Sequence, residues 1–404
     1  MDRIDVIIIG GGAAGFFGAI NIAHLNPKLR IVILERGKDV LTKVKVSGGG
    51  RCNVTHAEFD PSELVSYYPR GNKELLGPFH TFMTGDTIAW FEERGVELKM
   101  EEDGRMFPIS DSSQTIIDCF KSEVEKYNID LKTGHAVVSI SKVDTLWRVE
   151  TKQGDFYAKA ILMASGSSPK MWKMLEELGH TIVDPVPSLF TFNIIDERIT
   201  GLAGVVAKDV TVEVIGTTLS SSGPLLITHS GFSAPAILKL SAFGAIELSK
   251  LNYEFDLKVN FINMSNIDAL AALRDLKSQF SKKLVVNTVS FGLPKRLWRS
   301  LVLGTGIDPE KRWADVNKQD LMIISSQLTE AIFHVTGKST FKEEFVTAGG
   351  IDLKEIDFKT FESKLHENLF FAGEVLNIDA VTGGFNFQNA WTGAYIAAQK
   401  MSKL

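Results

Sequence analysis

The first 35 residues run strand, glycine turn, helix, strand and terminal acid, and this order constrains the chain more than any other feature. Residues 5–9 read DVIII, a β-branched run of the kind that becomes a buried parallel strand. Gly10-Gly11-Gly12-Ala13-Ala14-Gly15 follows at once and matches G-x-G-x-x-G. Residues 16–25 read as a helix, and residues 30–34 (RIVIL) as a second strand ending in Glu35. Gly10 permits the tight turn, Gly12 lets a pyrophosphate approach the backbone, and Gly15 lets the helix pack closely on the strand. The helix N-terminus offers unpaired N–H groups and a partial positive charge to phosphate. Glu35, about twenty residues after Gly15, is placed to accept hydrogen bonds from a ribose diol. Glycines alone are a weak signal, but the full order predicts a dinucleotide site without separating NAD from FAD.

Composition narrows the class. The chain has 404 residues, enough for two or three domains, with 44% hydrophobic and 23% charged residues, as in globular proteins. A net charge of −5 gives no global pull toward nucleic acid or anionic lipid. Cys52 and Cys119 are the two cysteines, without a CxxC or a Cys/His cluster. No disulfide framework or metal site is expected, and a reducing, cytoplasmic setting is. The apolar stretch 6–20 is too short and glycine-rich to span a membrane, and it lacks the flanks of a signal peptide.

Further on, Ser47-Gly48-Gly49-Gly50-Arg51-Cys52-Asn53 sets three glycines among polar residues, a loop able to present backbone N–H groups to a ligand. Residues 84–94 and 112–127 look helical. Residues 130–160 read as four short strands (DLKT, AVVSI, WRVET, FYAKA) forming a meander, a feature of FAD-binding two-dinucleotide-fold proteins. Residues 160–164 (AILMA) read as a further buried strand closing on Ser165-Gly166. Residues 189–262 alternate like antiparallel strands, and residues 264–331 have mostly helical period, for example 267–280 and 317–332. The end returns to α/β: a strand at 368–372, Gly373-Glu374, Gly383-Gly384, and a helix over 387–400. The expected organisation is therefore an α/β, discontinuous Rossmann-like FAD domain (1–188 and 340–404). Into it are inserted an antiparallel β domain (189–262 and 332–339) and a small helical subdomain (263–331). A chain with glycine turns near both ends suits FAD better than NAD: the diphosphate at 10–15, the ribityl chain and ring at 373–387. The last helix dipole would favour electron density developing on the ring.

SGGGRCN at 47–53, GRMFPISD at 104–111, THSGFSAP at 228–235, VTAGGI at 346–351 and FFAGEVLNIDAVTGGFNFQNAW at 370–391 occur in this order. Together they resemble a family of NAD(P)/FAD-dependent flavoproteins that includes aminoacetone oxidase and a protein linked to bile-acid dehydroxylation. The resemblance spans nearly the whole chain, and it implies a discontinuous FAD domain, an inserted β domain that is barrel-like, and a helical subdomain nested in that insertion. It implies non-covalent FAD contacts at Gly10, Gly12, Ala13, Ala14, Gly15, Glu35 and Arg36. It implies others at Ser47, Gly49, Gly50, Arg51, Cys52, Asn53, Gly373, Glu374, Gly383, Gly384, Phe385, Asn386 and Phe387. Val137 stands where a backbone meets the adenine, and Ala164, Ser165 and Gly166 stand at a further cofactor turn. There the family usually reads Ala-Thr-Gly-Gly with a longer glycine/threonine stretch; here the sequence is ASGSSPKMWKM.

His229 is the best candidate acid/base, since imidazole can move a proton in step with a hydride; the alternative is a histidine that only bonds its loop. Arg51 suits a phosphate or substrate carboxylate, or else an ion pair. Cys52, without a partner or base, reads as a packing residue. Arg105 faces an active site or anchors a turn. Gly304-Thr305-Gly306 runs into Pro309, so no second nucleotide domain is expected and NAD(P)H would dock transiently. The predicted function is hydride transfer between flavin N5 and a small organic substrate, with O2 as acceptor or NAD(P)H as donor. A flavin-bound sensing module or nucleic-acid-modification partner is the rival. Net charge argues against RNA; Lys282-Lys283 and Lys295-Arg296 with Arg299 are the only candidates for a basic run in the insertion, expected to be solvated faces of a helical cap.

Overall fold

A computed structural model describes residues 4–339 and 346–404. The chain forms two compact units, Met1–Val186 with Lys342–Leu404, and Pro187–Phe341. The expected boundary at 339/340 adjoins residues 340–345, which lie outside the described residues.

The first unit is built on a parallel sheet. The strand Ile4–Ile9 lies between Ile31–Leu34 and Gly154–Met163; Asp130–Lys132 extends one side and Leu369–Phe371 the other. Val6, Ile7 and Ile8 are fully buried, which is why this strand is a continuous β-branched run rather than an alternating one. Two readings change here. Residues 130–132 pair in the parallel sheet, not in the meander. FYAKA and AILMA form one strand, Gly154–Met163. Its first half pairs antiparallel with Leu146–Thr151 and its second half parallel with Ile4–Ile9, so it joins meander to main sheet.

The helix Ala13–Leu25 is buried along nearly its whole length and packs on the terminal helix Phe385–Met401, with Phe17 and Trp391 ring centroids 5.1 Å apart. A Cβ on Gly18 would lie 2.5 Å from Leu162 and 3.6 Å from Ala394, so its absence lets helix, sheet and helix close up.

The second unit holds a closed antiparallel barrel in the order Thr191–Ile194, Gly231–Ser233, Ser220–Ile227, Val206–Val214, Glu254–Asn260, Ala331–Ser339. Its core includes Phe192, Val212, Leu225, Ile227, Leu257, Phe333 and Val335, all fully buried. The helical residues lie between the last two strands in chain order. The helix expected over 317–332 stops at Thr329, because alternation takes over: Ala331, Phe333 and Val335 are buried and Ile332 is exposed. Helices Pro235–Phe243 and Ala245–Lys250 stand where only strands were expected. Ala236, Ile237 and Leu240 pack into the barrel core. The architecture is therefore α/β, with a discontinuous Rossmann-like core, a closed six-stranded antiparallel barrel and additional helices. No helix among the described residues is long and apolar enough to cross a membrane.

Candidate functional site

Ile9 pairs with Leu34 on one side and Met163 on the other, and Met163 pairs with Phe371. Four parallel strands thus end in one row, and Gly10, Glu35, Ala164 and Ala372 leave the sheet side by side. Ligands of open α/β sheets bind beyond such carboxyl ends.

The glycines at this edge answer to specific contacts. Gly10 has φ +119°, and a Cβ there would lie 2.3 Å from Ala164 O. On Gly15 it would lie 2.0 Å from Gly10 O. Gly12 starts the helix without a side-chain cap, and a Cβ there would meet no atom within 4 Å. The first-turn N–H groups at Ala13 and Ala14 therefore remain for an anion. Glu35 spans the turn, accepting from Gly11 N–H (2.8 Å) and Gly37 N–H (2.7 Å). It is a brace for the glycine turn. Arg36 is exposed.

The helix beginning at Thr42 breaks at Ser47 (ψ +148°), and Gly48, Gly49 and Gly50 are all left-handed. Lys43 reaches back to Glu374 (2.5 Å), beside Gly166. Ser165 Oγ is buried without a hydrogen-bond partner. A buried hydroxyl in that state costs free energy unless something meets it. An orphaned hydroxyl, an uncapped helix start and glycines opening on free space fit an adenine dinucleotide cofactor.

Asn53 joins the two ends of the chain. With its amide turned to satisfy both ends, Oδ1 accepts from Gly384 N–H (3.0 Å) and Nδ2 donates to Thr55 O (3.0 Å). A Cβ on Gly384 would lie 2.5 Å from Thr55 O. Asn386 secures the preceding loop through both atoms of Ala380, and Phe387 stacks on Trp391 at 5.5 Å.

Sequence reasoning missed His56. Its Nδ1 lies 3.0 Å from Gly383 O, and its ring stacks on Phe385, which also stacks on Tyr67 at 4.2 Å. Burial lowers its pKa, and because a carbonyl only accepts, Nδ1–H donates to it. One histidine in NVTHAEF carries no spacing signal. Gln388, fully buried, was also missed; its Oε1 accepts from Thr55 (2.7 Å) and Thr87 (2.9 Å).

Arg51 lies against Glu101 (2.6 Å) and Asp111 (3.5 Å), with its guanidinium 4.0 Å from the Phe107 ring. Arg105 also pairs with Glu101 and with Asp103. Cys52 is fully buried, and burial pushes its thiol up to about 12, so it is a neutral packing group. Val137 is buried in the meander, paired with Thr151. His229 is apart from all of these residues in the chain's division: it belongs to the second unit, exposed in the turn between Ser220–Ile227 and Gly231–Ser233. Among the described residues no group of three or more His, Cys, Asp or Glu is arranged to hold a metal.

A family profile described as HI0933-like protein Rossmann domain matches residues 4–400. The chain belongs to this family. That places it among Rossmann-fold FAD/NAD(P)-binding oxidoreductases. It is 29% identical to a ribosomal RNA dihydrouridine synthase of Escherichia coli, over 99% of this chain and 98% of that protein. It is 28% identical to the Haemophilus influenzae protein of the same description, over 98% of each. It is 25% identical to a 3-dehydro-bile acid delta(4,6)-reductase of Clostridium scindens, over 99% of this chain and 98% of the other. In fold it is similar to a 3-ketosteroid-delta4-(5alpha)-dehydrogenase from Rhodococcus jostii, with TM-score 0.54, 12% identity, and 100% and 98% of the two chains covered.

Proposed function

We propose that the chain holds FAD non-covalently and saturates a carbon–carbon double bond conjugated to a carbonyl, with the uracil ring of ribosomal RNA as substrate. The observation that carries this reading is the near full-length match to two ribosomal RNA dihydrouridine synthases. Dihydrouridine differs from uridine by two hydrogens across the ring C5=C6 bond, which is conjugated to the C4 carbonyl. The hydride therefore goes to C6, the carbon β to that carbonyl, and a proton goes to C5. The Clostridium scindens relative is named for a reaction on unsaturated bonds of a ketone as well.

Bound FAD supplies the hydride chemistry, and NAD(P)H is the class of reductant that restores it. The chain's own residues bind and orient. The helix start at Gly12–Gly15 holds the diphosphate, and Ser165 Oγ gives the cofactor a buried hydrogen bond. Gly49 and Gly50 leave room for close backbone approach, and the last helix start at Gly384–Phe387 would favour negative charge on a bound flavin. A whole-chain charge of −5 does not oppose an RNA substrate if the positive charge is concentrated locally.

The test uses purified holoprotein with ribosomal RNA lacking dihydrouridine and NADH or NADPH, read by nucleoside mass spectrometry. The expected result is flavin bleached by one nucleotide and a gain of two hydrogens in a uridine. No flavin after reconstitution overturns the cofactor assignment. Flavin turnover with a free enone but never with RNA moves the substrate to small molecules, the reading favoured by the bile-acid relative.

A further inference from the structure

We infer that the helical part of the second unit carries the face that tracks the RNA phosphate backbone, an inference that rests on the RNA reading above. Charge is unevenly distributed along this chain. It has 44 Lys and Arg against 49 Asp and Glu. Yet residues 276–307 contain Lys277, Lys282, Lys283, Lys295, Arg296 and Arg299 and no acidic residue. In a chain of this composition, such a stretch holds its positive charge without neutralisation from within.

The fold gathers these cations. Leu284 bridges Arg312, with Val285 N–H donating to Lys311 O (3.1 Å) and Trp313 N–H to Lys283 O (3.0 Å). Arg312 is thereby brought beside Lys282 and Lys283 from the other segment. The helix Lys295–Leu303 is fixed to the same place by its buried Trp298, whose Nε1–H donates to Val285 O (3.0 Å). Arg299, the next residue, donates to Asn287 (3.4 Å). Lys282, Lys283, Lys295, Arg299 and Arg312 are all exposed, and none pairs with a carboxylate among the described residues; Arg296 is also exposed but donates to the Gly201 carbonyl. By contrast Lys311 is held by Asp320 (2.6 Å) and Lys277 by the Val316 carbonyl.

Aromatic groups stand among these cations. Lys283 lies 4.5 Å from the Phe280 ring centroid. Phe291, half-buried and left-handed at φ +58°, sits in the loop leading to the helix and lies 6.2 Å from Trp298. Unpaired cations beside aromatic faces are the chemistry that follows a nucleic-acid backbone while leaving bases free to stack.

The experiment compares holoprotein with the triple variant Lys282→Glu, Lys283→Glu, Lys295→Glu. A control triple, Lys208→Glu, Lys239→Glu, Lys250→Glu, reverses the same number of exposed charges elsewhere in the unit. Binding of a ribosomal RNA fragment is measured by filter retention across salt concentrations, with NAD(P)H-driven flavin reduction as a check on the fold. The first variant should bind about tenfold or more weakly near 0.1 M salt, with a log–log salt slope shallower by about two. The control should lose markedly less, and flavin reduction should stay equal in all three. Equal affinity and slope in the first variant and the wild type would overturn the assignment while leaving dihydrouridine formation intact. Wild-type protein that neither retains nor modifies RNA would instead remove the reading beneath it.

Discussion

The turn at residues 10–15 and the loop at residues 48–50 are both glycine-rich, but for different physical reasons. In the first, Gly10 and Gly15 are demanded by the chain itself: a Cβ on either would overlap a backbone carbonyl. In the second, Gly49 and Gly50 would place a Cβ in open space, and only their left-handed φ (+69° and +85°) asks for glycine. Gly12 combines open space with an ordinary extended backbone, φ −95°. The contrast separates glycines kept for folding from glycines whose remaining purpose is to let something approach.

The largest effect is expected at Gly15. Gly15→Ala should destabilise the protein by about 3 kcal/mol or more, because neither the carbonyl of Gly10 nor the helix can move without breaking the turn. Denaturant midpoints would show it, and a change under about 1 kcal/mol would break the distinction. Gly49→Ala should cost about 1–2 kcal/mol through φ alone, yet raise the FAD dissociation constant at least about tenfold. Equal losses in apoprotein stability and FAD affinity would mean the loop serves folding only. Gly12→Ala gives the sharpest version, with apoprotein stability within about 0.5 kcal/mol of wild type and weakened FAD retention. Unchanged affinity there would remove the phosphate assignment at this helix start.

A background effect, unrelated to glycine, belongs to the same unit. Buried His180 bonds Glu355 through Nδ1 (2.8 Å) and Ser363 through Nε2 (3.1 Å). Burial holds its imidazole below the usual range, while hydrogen bonds from Thr181 and His180 outweigh burial at Glu355 and hold that carboxyl low. Both groups then bind fewer protons when folded than when unfolded, so stability rises with pH. The His180 contribution is present above 6.5 and is lost as pH falls through and below that value. Glu355 adds a further loss in the acid range. Melting temperature should fall from pH 7.5 to 5.5, and His180→Gln should flatten that slope. A parallel slope would show that other groups set the acid response.

Much of the fold was legible because it is local. The DVIII run, its glycines and the next strand declare themselves through burial on both faces and a turn that tolerates no side chain. The C-terminal strand, glycines and helix repeat that logic, so the discontinuous domain could be read. The barrel strands showed their alternation, but their closure did not, since Ala331–Ser339 pairs with strands beginning at Thr191 and Glu254. The joint character of Gly154–Met163 was hidden because its two halves take different partners. At the site, Gly10, Gly12, Gly15 and Glu35 follow a spacing rule. His56 and Gln388 do not, because their partners lie far away in the chain.

By itself the sequence determined the parallel nucleotide fold and its glycine turns, since periodicity, β-branching and the absence of a side chain act within a few residues. Tertiary structure decided what those turns meet. It set the Gly384 N–H on Asn53, His56 on the Gly383 carbonyl, Arg51 between two carboxylates, and Arg312 beside Lys282 and Lys283. Such contacts join residues from about 30 to more than 300 positions apart, and only the packing of hydrophobic strands and helices brings them within hydrogen-bonding reach.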